Sequence, residues 1–227
     1  MKISGLQKIT LMDYPGKMAS VIFVQGCNFR CPFCQNSSLL DFSEPLLSER
    51  EVLEYLEKRK NVLDGVVISG GEPTMQKDLE NFIVKIKGFG YSVKLDTNGS
   101  NPELLEKLLS NKLIDYVAMD IKNDLGEYEE ISGVKGIDVD KIKRSITLIK
   151  SSDVDHEFRT TITKEYHTIE SIENICKLIK GSKYFIQNFE NGETVLNQKL
   201  HGFSLDELKE IGVKLNEKYS DVTIRNI

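Results

Sequence analysis

Six short apolar runs recur along the chain, starting at Ala19, Gly65, Ser92, Tyr116, His156 and Tyr184, which places them 46, 27, 24, 40 and 28 residues apart. Parallel strands cannot be joined by a tight turn; each pair needs a crossover of a dozen residues or more, usually a helix. All five gaps are long enough, and they carry helix signals. Ser48 followed by Glu51 is a capping-box pattern ahead of EVLEYLEKRK, and Ser204 with Glu207 repeats it near the end of the chain. Asn101 and Pro102 supply an N-cap and a first helical residue for PELLEKLL. Further helices are expected at about 76–87, 138–150 and 168–180, the last closed by Gly181.

The expected strands are therefore 19–25, 65–69, 92–95, 116–120, 156–161 and 184–188, and the fold class is α/β. About six β/α units in 227 residues make an open or partial barrel, a (β/α)6, because eight units need more chain than these spacings leave. Residues 1–16 are expected to form an N-terminal hairpin or extension, with 17–227 as a single domain. Residues 189–203 lack periodicity and are expected as a loop or rim segment of that domain.

Charge and cysteine usage narrow the function classes. Thirty Lys and Arg against thirty-five Asp and Glu give a net charge of −5, and no basic tail or run suggests nucleic acid as a partner. No apolar stretch reaches the length of a signal-peptide core or a membrane span, so a cytoplasmic protein without a membrane partner is expected. Three of the four cysteines, Cys27, Cys31 and Cys34, lie within eight residues, which favours local ligand chemistry over a disulfide framework. Cys176 sits on an apolar stripe with Ile172, Ile175 and Ile179 and is expected in the core.

The trio stands in GCNFRCPFC, a C-x3-C-x2-C spacing directly after the first strand. Three thiolates on one loop can ligate three irons of a cubane cluster and leave the fourth iron open for chemistry. Structural zinc is the alternative, but its fourth ligand would have to come from Cys176, His156, His167 or His201, all remote and unpaired in pattern. His156 and His167, near a strand start and a helix start, are expected in structural or solvated roles.

The later strand ends carry their own signals. Gly70 and Gly71 permit close backbone approach after the second strand, with Glu72 and Pro73 at the exit. Asp96, Thr97, Asn98 and Gly99 form a turn after the third. Period-two alternation puts Ala118, Asp120 and Lys122 on one face and Val117, Met119 and Ile121 on the other. The same alternation sets Glu157, Arg159 and Thr161 apart from Phe158, Thr160 and Ile162, so that Arg159 can pair with Glu157 or bind a carboxylate or ribose. Charges on an inward face are costly unless paired or used on a polar ligand. Gln187 and Asn188, near the sixth strand, are further ligand candidates.

Taken together, LQKITLMDYPGK, GCNFRCPFCQN, ISGGEPT, KLDTNGSNP, YVAMDIK and EFRTTIT, in this order over about residues 5–163, resemble the radical S-adenosylmethionine (SAM) family. Within it they resemble anaerobic ribonucleotide reductase activating proteins and related glycyl-radical enzyme activases. The resemblance implies a partial (β/α)6 radical SAM barrel and one 4Fe–4S cluster on Cys27, Cys31 and Cys34, with SAM on the open iron. It implies that Phe33 touches adenine and that Gly70, Gly71 and Glu72 approach the methionine end. Asp120, Lys122 and Arg159 are the remaining cofactor-site candidates. By similarity to pyruvate formate-lyase activating enzymes, Asp96, Thr97 and Asp120 match a site where a monovalent cation sits beside the SAM carboxylate.

The implied activity is reductive cleavage of SAM to a 5′-deoxyadenosyl radical, which abstracts a glycine Cα hydrogen from a glycyl-radical enzyme, here anaerobic ribonucleotide reductase. Reduced flavodoxin or a ferredoxin-like protein is the implied electron donor. A radical SAM enzyme acting on a peptide or small molecule, and a non-enzymatic iron–sulfur electron carrier, are the competing readings; the strand-end motifs argue against the carrier, which needs no SAM pocket.

Overall fold

The computed structural model describes residues 1–225. One eight-stranded sheet runs in sequence order, β1 (Ile3–Thr10), β2 (Ala19–Val24), β3 (Gly65–Gly70), β4 (Ser92–Thr97), β5 (Tyr116–Asp120), β6 (Asp155–Ile162), β7 (Tyr184–Asn188) and β8 (Val222–Arg225). β1 pairs antiparallel with β2, and every later pairing is parallel. β1 and β8 are the two edges, so the barrel is open.

Helices α1 (Glu49–Arg59), α2 (Leu79–Gly88), α3 (Pro102–Ser110), α4 (Tyr128–Ser132), α5 (Val139–Ser151), α6 (Ile169–Leu178) and α7 (Leu205–Asn216) fill the crossovers. The six expected β/α units are present, from β2 with α1 to β7 with α7, and β8 follows them as an additional parallel strand. The Ser48–Glu51 and Ser204–Glu207 capping boxes form as their spacing predicts, and Asn101 caps α3 with Pro102 in its first turn.

α2 starts at Leu79, later than expected. Pro73–Met75 makes a short 3-10 turn, and Gln76 is extended, its side chain donating to the Gln25 carbonyl at 2.6 Å and accepting from Lys2 N at 2.9 Å. Those two bonds tie the β3 exit to the N-terminal strands, which a helix beginning at Gln76 would prevent.

Alternation along the strands separates two cores. Ile22, Val24, Val66, Ile68, Val117, Met119 and Phe158 face outward and pack with helix residues such as Leu56, Phe82, Leu108, Ile146 and Cys176. Inside the barrel, a smaller cluster of Tyr14, Ala19, Val21, Val67 and Tyr116 fills the end where the parallel strands begin. Tyr14 comes from the turn between β1 and β2, where Lys17 N donates to the Tyr14 carbonyl at 3.1 Å. No helix among the described residues is long and apolar enough to cross a membrane.

Candidate active site

A cleft of about 270 Å³ opens at the C-terminal ends of the parallel strands. That is the end at which barrel folds build their chemistry, because loops of different strands converge there. Cys27, Phe33, Cys34 and the largely buried Cys31 line one wall; Gly70, Gly71, Asp96, Thr97, Asp120, Lys122, Arg159, Thr161 and Gln187 line the others. Of the cluster and cofactor candidates singled out in the sequence, Glu72 and Asn188 are not on the cleft surface.

The cysteine loop is held from several directions. Arg30 donates to the carbonyls of Cys27 and Phe29 at 2.6 and 3.0 Å, and pairs with Asp41 at 2.7 Å. From the far side of the chain, residues 189–203 lie across the loop: Asn197 N donates to Pro32 O at 2.9 Å, Leu196 N to Cys34 O at 3.3 Å, and Gln35 Nε2 to Glu190 O at 2.8 Å.

The donor set fits a thiolate-ligated cluster. Phe29 N–H lies 3.4 Å from the Cys27 sulfur, with Asn98 Nδ2 at 4.0 Å, the kind of contact that stabilises sulfur carrying negative charge. Burial raises the Cys27 thiol above its ordinary value and pushes Cys31 to about 12, so at neutral pH Cys31 stays a thiol unless a bound metal takes the proton's place and releases it to solvent. None of the three histidines, nor Cys176, lines the cleft, which leaves zinc without a fourth cysteine or histidine there. Among the described residues, no group of three or more His, Cys, Asp or Glu converges on one metal-ion position.

Gly70 and Gly71 are required by close chain approach. Gly70 has φ +115°, and a Cβ there would lie 2.5 Å from both N and O of Val24; one on Gly71 would collide with the Gly26 carbonyl. Gly71 N donates to Val24 O at 2.9 Å and Glu72 N to Gly26 O at 2.7 Å. With those N–H groups engaged, the glycine edge offers a cofactor carbonyl oxygen, the acceptor an ammonium requires.

Glu72 is fully buried beneath this edge. Its carboxylate accepts from Thr74 N and Oγ1 at 3.0 and 2.5 Å, Thr97 Oγ1 at 2.8 Å and Asn98 N at 2.7 Å. Burial raises its pKa against the pull of these four donors. In this arrangement it stitches the β3 exit to the β4 exit, and the Thr97 hydroxyl is directed to Glu72 as well.

Arg159 is the hub of the opposite wall. Its Nε meets Asp120 Oδ1 at 2.8 Å and its Nη1 meets Asp96 Oδ2 at 3.3 Å, whereas Glu157, the partner alternation suggests, is 4.0 Å away. Glu157 is turned instead to Tyr116 OH at 3.1 Å and Arg225 at 3.3 Å. Lys122 Nζ lies 3.3 Å from Asp120 Oδ2. Burial alone would raise the Asp120 carboxyl, but Arg159 and Lys122 outweigh it and hold it far below the usual carboxylate range. Burial would likewise lower Lys122, and Asp120 keeps it well above its ordinary value.

Sequence reasoning missed Lys94, Ser69 and the role of Asn98. Lys94, only 1% exposed, contacts Asp96 Oδ1 at 2.5 Å, and Ser69 Oγ donates to Asp96 Oδ2 at 3.0 Å. Lys94 stands two residues before Asp96 on a strand, the signal that marked Asp120 and Lys122. With Lys94 and Arg159 on Asp96, and Arg159 and Lys122 on Asp120, both carboxylates expected beside a monovalent cation already have cationic partners from the chain itself.

Residues 21–179 match the Radical SAM superfamily. Over 99% of its length and 96% of the relative's, the chain is 39% identical to a Methanocaldococcus jannaschii protein named as a candidate glycyl-radical enzyme activating enzyme. It is 31% identical to the pyruvate formate-lyase-activating enzyme of Clostridium pasteurianum over 79% of this chain and 78% of that one. Among solved structures, Streptococcus suis SuiB bound to its precursor peptide SuiA superposes with a TM-score of 0.72 at 16% identity over 91% of this chain; the chain spans about half, 48%, of SuiB. A radical SAM methyltransferase from Sphaerobacter thermophilus superposes with a TM-score of 0.71 at 14% identity, covering 94% of this chain and 67% of that one. The two structural likenesses speak for the partial barrel alone, while the sequence likenesses carry the family: the chain belongs to the radical SAM superfamily and is a radical SAM enzyme closely related to glycyl-radical enzyme activating enzymes.

Proposed function

We propose that this enzyme cleaves SAM reductively and takes a hydrogen atom from a glycine Cα of a separate glycyl-radical enzyme. The observation that carries the reading is the meeting, in one cleft, of three cysteines from one loop with a carboxylate and guanidinium wall from three other strands, in a chain related over its full length to a protein named for glycyl-radical enzyme activation. Cys27, Cys31 and Cys34 would hold a 4Fe–4S cluster. When bound, the cluster and SAM together supply one-electron cleavage of a carbon–sulfur bond and a carbon able to take the hydrogen, chemistry no side chain provides.

The chain's own residues bind and orient. The carbonyl edge at Gly70 and Gly71 suits the SAM ammonium, and the Lys122 ammonium and Arg159 guanidinium suit its carboxylate or ribose. Phe33 offers an aromatic face to adenine. Asp96 and Asp120 keep the two cations in place, and Glu72 keeps the glycine edge in place. No acid–base pair is assigned, because hydrogen-atom transfer needs none. A flavodoxin or ferredoxin-like protein is the proposed electron donor.

Anaerobic ribonucleotide reductase is the narrower partner that the motifs suggest, while the Clostridium pasteurianum relative is named for pyruvate formate-lyase. The reading therefore rests at the level of the class, a glycyl-radical enzyme. A second reading, a peptide or small-molecule substrate, draws on the likeness in fold to SuiB, solved with a precursor peptide. One experiment separates them. The reconstituted enzyme, reductant and SAM are mixed with a candidate glycyl-radical enzyme deuterated at glycine Cα, and the label is sought in 5′-deoxyadenosine while the partner is examined by electron paramagnetic resonance. A partner-centred radical with label transfer supports the glycyl reading. Absence of both with a well-folded partner, while a peptide or metabolite supplies the label, overturns it and leaves SAM cleavage standing.

A further inference from the structure

Lys122 is held by its backbone as well as by its ammonium. Its N–H donates to the hydroxyl of Tyr128, the first residue of α4, at 3.1 Å, and its carbonyl lies 2.9 Å from Nε2 of the buried His167. A carbonyl only accepts, so Nε2 carries the proton. Nδ1 is then free to accept from Thr163 N, found at 3.1 Å, and the two bonds settle a single neutral tautomer.

The same two rings wall the cysteine loop. Tyr128 meets Phe29 edge-on, centroids 6.4 Å apart at 78°, and His167 meets Phe33 edge-on at 6.3 Å and 62°. Phe29 and Phe33 flank Cys31, and the Lys122 ammonium stands 5.9 Å from the Phe33 ring centre. α4 is itself pressed onto the loop: Arg30 N donates to Ser132 O at 2.7 Å, and a Cβ on Gly133, at φ +66°, would lie 2.7 Å from the Arg30 carbonyl. Each ring thus joins the β5 exit to the cysteine loop by one hydrogen bond and one aromatic contact.

We infer that Tyr128 and His167 are positioning residues that clamp both backbone groups of Lys122 and so set its ammonium at the height of the cysteine loop, fixing affinity for the SAM carboxylate rather than cluster loading. The inference rests on the proposed place of Lys122 in the SAM site. Deleting either hydrogen bond while keeping the ring leaves a backbone group of Lys122 unpaired and lets the lysine drift, without touching a cluster ligand.

The test uses the full chain, anaerobically reconstituted, as Tyr128→Phe and His167→Phe, each with Lys122 present and with Lys122→Ala. Iron per chain, SAM affinity by equilibrium dialysis and the electron paramagnetic resonance spectrum of the reduced cluster with and without SAM are measured. His167→Gln, which restores a donor toward the carbonyl, is the rescue variant. His167→Asn keeps an acceptor for Thr163 while its shorter amide falls short of the Lys122 carbonyl that Nε2 reaches, and it replaces His167→Phe if that variant melts below the assay temperature.

Expected are unchanged iron throughout and SAM affinity weakened about tenfold by Lys122→Ala. Each ring variant should weaken affinity roughly three- to tenfold, with recovery in His167→Gln and a further change below about twofold once Lys122 is alanine. Equal losses in both backgrounds, or iron falling in step with affinity, overturn the clamp. If Lys122→Ala weakens SAM binding and the ring variants do not, the clamp alone is wrong; if Lys122→Ala changes nothing, the placing of Lys122 in the SAM site fails and the clamp with it.

Discussion

Where the parallel strands begin, Tyr14, Ala19, Val21, Val67 and Tyr116 close the barrel interior with an apolar plug, the two tyrosine rings meeting edge-on at 5.8 Å. Where they end, the same inward faces carry Asp96, Asp120 and Arg159 around an open cleft. β5 shows the change within one strand, from Tyr116 in the plug through Ala118 to Asp120 in the cleft. Charge is tolerated at the top because each group has a partner of opposite sign within hydrogen-bond reach and water beyond it; beside the plug the buried Glu157 is held by Tyr116 OH and Arg225 and faces no cleft. Stability and chemistry are thus divided by height along shared strands, so substitutions at the two ends should be separable.

The largest effect is expected at the cysteine wall. Cys31→Ser should reduce iron from about four per chain to near none after anaerobic reconstitution, and SAM cleavage by more than the roughly hundredfold that losing a ligand's supporting partner can cost. Cys176→Ser, in the outer core, should keep its iron. Iron and sulfide assays on the two variants check this, and equal iron loss in both would remove the distinction between ligand and core cysteine.

Next in size is Arg159→Met, which removes the cation shared by Asp96 and Asp120. A cost of about 3 kcal/mol is expected, the lower end for breaking a buried pair because Asp120 is a third exposed, or roughly 6–12 °C in Tm. The pH dependence has a definite sign. The folded-state pKa of Asp120 is depressed, so its contribution is complete above the ordinary carboxylate value of about 4 and fades as pH falls from there toward the lowered folded value. In Arg159→Met the carboxyl, buried without that cation, should take up its proton at higher pH, and melting curves from pH 3 to pH 7 should show the acid limb shifted upward.

Part of this division is legible in the sequence. Tyr116–Asp120 and Tyr184–Asn188 are read with their observed bounds because apolar runs of this length between long crossovers admit little else. β8 is missed: Val222–Arg225 is four residues on an edge, with alternate positions polar. α4 is missed because five residues carry too little periodicity, and what stops it, Gly133 against Arg30, is a contact a hundred residues long. Alternation finds the inward charges of β5 and β6, yet it pairs Arg159 with Glu157 on its own strand, whereas the adjacent β5 supplies Asp120 and β4, one strand further, supplies Asp96. The support from Glu72 and His167 is invisible for the same reason, since each bonds to the exit of another strand, while Tyr128 reaches Lys122 within the same segment through a contact that alternation does not report.

A smaller effect is expected from Glu72→Gln, since an amide cannot accept on both ends from four donors. About 2 kcal/mol of stability should be lost, with weaker SAM binding because the glycine edge loosens; denaturant melts and SAM titrations measure the two. The smallest is Tyr116→Phe, which deletes one hydrogen bond to Glu157 in the lower barrel. About 1 kcal/mol should be lost with SAM cleavage unchanged, and a loss of cleavage exceeding the loss of stability would show that the two ends are not independent.

Reductive SAM cleavage in the upper cleft is the proposed chemistry on which the other expectations depend. The most direct measurement is anaerobic turnover of the iron-loaded full chain with SAM and a low-potential reductant, quantifying methionine and 5′-deoxyadenosine together. The account predicts both products in equal amounts, dependent on iron and reductant, abolished by Cys31→Ser and retained in Tyr116→Phe. Protein carrying four irons per chain that forms neither product across several donors would contradict it.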